Sequence, residues 1–115
     1  MSQVVSFGPR PVFASETIIV DSTAGGVGVT ATKLTKGVAD NFAAEVLKAQ
    51  SALVTVETAE IRVNFDPAVT VTASANGHLF QVGDSFTVDG YDTIMRMKMI
   101  RTTAVSGSVK VTYFG

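Results

Sequence analysis

The chain has 115 residues, enough for one compact core but too few for two. With 46% hydrophobic and 17% charged residues, the composition suits a packed domain and excludes a solvated, disordered chain. A formal charge of −1 provides no general attraction to a phosphate backbone or an anionic membrane, and the absence of cysteine rules out disulfides and thiolate metal sites.

Val and Thr dominate the sequence, and their branched Cβ atoms favour pleated strands over helices. The first twenty residues lack a basic start followed by an apolar run, so no secretory signal is expected. No segment approaches the roughly 18 apolar residues of a membrane-spanning helix.

Residues Met1–Ser15 carry Pro9-Arg10-Pro11, which favours extended backbone and removes two ladder donors. They read either as a flexible terminus or as an arm docked on a neighbouring subunit. The apolar Val4, Val5, Phe7, Val12 and Phe13, with Arg10 among them, support the arm.

Thr17-Ile18-Ile19-Val20 predicts a first strand closed by a turn at Gly25-Gly26, and alternation from Val27 to Leu34 predicts a second. Gly25-Gly26-Val27-Gly28 lacks the downstream Gly-Lys-Ser/Thr and the following helix of a phosphate loop, so it reads as a turn. Between Gly37 and Gln50, Val38, Phe42, Val46 and Ala49 recur at helical spacing, which predicts a short helix.

Strands then follow in close succession: Ala52–Glu57, Ile61–Phe65, Val69–Thr72, Phe86–Val88, Ile94–Arg101 and Val109–Tyr113, with Phe80 and Val82 leading into the turn before Phe86. Asp66-Pro67, Asn76-Gly77, Gly83-Asp84, Gly90 and Ser106-Gly107 mark the turns. The predicted fold is all-β: a single sandwich or jelly-roll-like domain over residues 16–115, with seven to eight short antiparallel strands, one short helix and an extended arm at 1–15.

Little in the chain points to catalysis. His78 stands alone, and only a threefold axis would gather enough copies for a metal site, so a structural role is favoured. Asp84, Asp89 and Asp92 lie where turn chemistry favours aspartate. A metal-dependent jelly-roll enzyme would need several histidines. Met95, Met97 and Met99 fall on one face of the expected Ile94–Arg101 strand and read as core in preference to interface. Arg96 and Lys98 fall on the opposite face, forming a basic stripe. It reads either as a solvated face or as a contact for an acidic partner; no aromatic residues interleave for base stacking.

The segments Ala52-Leu53-Val54-Thr55-Val56-Glu57-Thr58-Ala59, Ile61-Arg62, Gly77-His78-Leu79, Gly83-Asp84-Ser85, Ile100-Arg101 and Val109-Lys110-Val111-Thr112-Tyr113 occur in that order. Together with Glu16-Thr17-Ile18-Ile19-Val20 and Gly28-Val29-Thr30-Ala31, they make the chain from about residue 15 resemble small virion structural proteins of tailed phages. The stretch Gly37–Gln50 departs from that pattern.

The resemblance implies a non-enzymatic virion protein made in the host cytoplasm, foremost a capsid decoration or cement protein. Its expected partners are the major capsid protein or other virion proteins, and a homo-oligomer, for instance a trimer, is expected. No cofactor, nucleic acid or membrane is implied. The alternatives are a head–tail connector component, or a head-fibre or tail-fibre domain that grips a host glycan, for which Tyr91 is the residue of interest. The expected partner-binding residues are Val5, Phe7, Arg10, Val12 and Phe13 of the arm, and Arg96 and Lys98 of the stripe.

Overall fold

The computed structural model describes residues 12–39 and 44–115. In chain order the described elements are β1 (Val12–Val20), a 3-10 turn (Ala31–Lys33), β2 (Thr35–Ala39), β3 (Ala44–Lys48), β4 (Ser51–Val56), β5 (Ile61–Asn64), β6 (His78–Phe80), β7 (Ser85–Asp89), α1 (Tyr91–Arg96), β8 (Lys98–Arg101) and β9 (Gly107–Phe114). All strand pairings are antiparallel, and the all-β reading of the sequence holds.

Three sheets form. The largest has the order β1-β9-β4-β7, a second has β6-β5-β8, and β2 pairs with β3 outside both. Strand periodicity puts Ala52, Val54 and Val56 of β4 on the same side as Val109, Val111 and Tyr113 of β9. These side chains are buried in one cluster with Ile61 and Val63 of β5 and Met99 of β8, so the two main sheets share a single core. Each fully buried aliphatic side chain there contributes roughly 1.5–3 kcal/mol.

Turn chemistry locates the strand ends. Gly83 and Gly90 flank β7 with φ of +90° and +95°, conformations that exclude most side chains. Asp84 accepts the Gln81 backbone N–H at 2.7 Å, closing the β6–β7 connection. Glu60 binds the Thr102 hydroxyl at 2.7 Å and the Gln81 amide at 2.5 Å, tying three connections together. Both bonds hold the Glu60 carboxyl below the usual glutamate range, led by the one from Thr102.

Four sequence expectations are corrected. Among the described residues of Gly37–Gln50 the expected helix does not form; β2 and β3 pair as an antiparallel hairpin there, with Thr35 opposite Lys48 and Ala39 opposite Ala44. Helical spacing of apolar residues arises by chance in short windows, and at this one cross-strand pairing prevails. The base of the hairpin is fixed by buried Leu34 and Ala49, whose backbones meet at 2.8 Å.

The second strand expected over Val27–Leu34 reduces to a single bridge between Val27 and Met99 followed by the 3-10 turn. Val69–Thr72 forms no strand either. There the chain lies beside β5: Arg62 donates to the carbonyls of Ala73 and Gly77, Asn64 donates to that of Val69, and Val71 is buried.

The strand expected over Ile94–Arg101 divides in two. Residues Tyr91–Arg96 are helical, buried Met97 turns the chain, and β8 begins at Lys98. Apolar residues at Ile94, Met97 and Met99 satisfy both periods over so short a run, and the reversal at Gly90 selects the helix.

Candidate functional site

The partner-binding residues expected at the N-terminus fall into two groups. Val5, Phe7 and Arg10 lie outside the described residues. Val12 and Phe13, taken as part of an arm ending at Ser15, belong instead to β1 and pair with β9. Val12 is 63% exposed whereas Phe13 is 7% exposed. The Phe13 ring is a core group covered by Lys36, whose ammonium lies 4.9 Å from the ring centroid. It is therefore a poor docking residue: exposing it would cost the burial that orders β1.

Arg96 and Lys98 do not form the stripe expected of one strand face, because the first ends α1 and the second begins β8. Tertiary structure nonetheless brings them together. Both line an open cleft of about 290 Å³, which Gly25, Asp66, Val69 and Met95 also line. Met97 and Met99 are buried in the core and Met95 is half-buried, as the core reading of the methionine row requires.

The outward side of the largest sheet is the other broad surface. Its register aligns Ser15, Thr112, Leu53 and Thr87 in one row and Thr17, Lys110, Thr55 and Ser85 in the next. Hydroxyls prevail, with Lys110 the only charge in these two rows. A shallow depression of about 270 Å³ lies over Ser15, Thr17, Lys110 and Thr112.

One polar network escaped the sequence reading. Glu16 shares the inward parity of Ile18 and Val20 on β1, an unusual place for a carboxylate. It is satisfied there by the buried Tyr113 hydroxyl at 2.5 Å, and by the Thr30 hydroxyl at 2.7 Å and backbone N–H at 3.2 Å. Burial, then the Glu16 bond and its charge, push the Tyr113 phenol far above its ordinary value. The available signal was a single Glu breaking the apolar parity of β1. Its partners stand 14 and 97 residues away, beyond any local pattern.

Other candidates are placed as follows. Tyr91 opens α1, half-buried, with the Lys48 ammonium 5.0 Å from its ring centroid, so one ring face is already occupied. His78 is exposed on β6. Among the described residues no group of three or more His, Cys, Asp or Glu is arranged to hold a metal ion. No helix is long and apolar enough to cross a membrane, again among the described residues. No protein-family model, curated protein or solved structure matches the chain.

Proposed function

We propose that this chain is a non-enzymatic virion structural protein that decorates a phage head through protein–protein contacts. The observation that carries the reading is the outward side of the β1-β9-β4-β7 sheet, a broad hydroxyl-rich surface with a single charge in its two central rows. Such a surface is wettable in the free protein yet costs little to desolvate against another protein, since few charges must be stripped of water. The strand-and-turn motifs, which resemble those of small tailed-phage virion proteins, agree with it.

Decoration is a physical mechanism. Many weak copies bound to a closed shell shift its stability by mass action, with avidity if the chain is oligomeric. The test is co-sedimentation with capsids of the phage whose genome encodes the chain. Three forms are compared: full-length protein, a truncation lacking residues 1–11, and Thr17→Glu/Thr55→Glu, which puts two charges on the sheet surface. The truncation stops before Val12, because removing residues to Ser15 would delete the start of β1. Saturable binding by the full chain that Thr17→Glu/Thr55→Glu abolishes is the expected result. Loss on truncation alone would assign the contact to the N-terminal segment, and no binding by any form would refute decoration and favour a connector or fibre role.

A further inference from the structure

We propose that the cleft between the α1–β8 junction and the Asp66–Thr70 segment is a binding site for a carboxylate, of the kind an acidic side chain of a protein partner presents. The two cations on its wall come from one rigid junction. Arg96 ends α1, Lys98 starts β8, and the residue between them, Met97, is buried in the core. Neither side chain has an ion pair or hydrogen bond among the described residues. In contrast, Arg62 donates to two carbonyls, Arg101 to Ser106, and Lys36 and Lys48 lie over aromatic rings.

The glycine turn makes room for the Lys98 side chain. A Cβ at Gly26 would fall 3.0 Å from Lys98 Cβ, and one at Gly28 would fall 2.9 Å from Lys98 Nζ. The aliphatic stem thus runs along a track kept bare by two glycines.

Ligand class follows from the rest of the lining. Asp66 is the one acid among the described residues that line the cleft, and its carboxylate already accepts the Ala68 backbone N–H at 2.9 Å. Two cations and one anion among these lining residues leave a single net positive charge, which attracts an anion. Val69, Met95 and Pro67 supply apolar wall for a methylene stem. The chain's own net charge of −1 further disfavours a polyanion such as nucleic acid.

The test is a titration of uniformly ¹⁵N-labelled full-length protein, followed by amide chemical shifts. The probes are a blocked Gly-Glu-Gly peptide, its Gly-Gln-Gly counterpart and inorganic phosphate. Saturable shifts at Gly25, Val69 and Thr70 with the Glu peptide are expected, with binding of the Gln peptide weaker by about tenfold or more. Arg96→Gln/Lys98→Gln, both at exposed positions, keeps the spectrum outside the cleft and loses the response. Equal binding of the two peptides, an unchanged response in that double variant, or absence of saturable shifts overturns the proposal. Tighter binding of phosphate than of the Glu peptide overturns the carboxylate assignment. Because the probe is a peptide rather than a capsid, its failure leaves the decoration reading standing, and the reverse also holds.

Discussion

The two sides of the β1-β9-β4-β7 sheet are built from the same strands yet have opposite chemistry. Inward, Val54, Val56, Val109, Val111 and Tyr113 are buried against the second sheet. Outward, Ser15, Thr17, Thr55, Lys110 and Thr112 cover the same ladders with hydroxyls and one ammonium. The backbone hydrogen bonds are common to both, so the difference lies in side-chain transfer alone. Inward residues carry the stability, and outward residues are free to be chosen for contact.

The largest test of this contrast is a cavity. Ile61 is fully buried and packs against the backbone at Gly107, where a Cβ would fall 2.9 Å from its Cγ2. Ile61→Ala should destabilise the protein by about 2–5 kcal/mol, read as a lower urea midpoint at unchanged slope. A loss below about 0.5 kcal/mol would mean that the two sheets do not share a core.

Next is the polar break in the inward layer. Tyr113→Phe removes one donor to Glu16 while Thr30 still satisfies that carboxylate, so a loss of about 1–3 kcal/mol is expected in chemical denaturation. The wild type also has a pH signature. The folded phenol titrates above its unfolded value of 10.0, so the neutral form is preferred in the fold. That contribution is complete below pH 10 and is lost as pH rises toward the folded value, since the unfolded chain releases its proton first. Tyr113→Phe should flatten the alkaline limb of the stability profile; an unchanged limb would place the titration elsewhere.

The smallest effect belongs to the outward side. Thr55→Val, a near-isosteric change in the middle of that surface, should shift stability by no more than about 0.5 kcal/mol in the same denaturation series. A larger loss would show that the hydroxyl rows are structural, weakening their assignment as a contact surface.

Much of this arrangement was legible in the chain. Alternation along Ala52–Val56, Ile61–Val63 and Val109–Tyr113 specifies which side chains face the core, because strand period is exclusively local. Asn76, at φ 62° before Gly77, and Gly83 and Gly90 at positive φ marked turns by their conformational range alone. The helix placed in 37–50 and the strand placed over Ile94–Arg101 failed for a shared reason. In both, apolar spacing over a few residues fits two periods, and the choice rests on partners supplied from elsewhere.

The sequence by itself determined the all-β class, the inward and outward sides of most strands, and the turn positions, since these follow from side-chain branching, two-residue periodicity and glycine. Only the tertiary structure decided that Glu16 meets Tyr113, that Phe13 belongs to the core, and that Arg96 and Lys98 share a cleft with Asp66 instead of a strand face. These are contacts between residues up to 97 positions apart, set by sheet order and by the reversal at Gly90, and no local pattern encodes them.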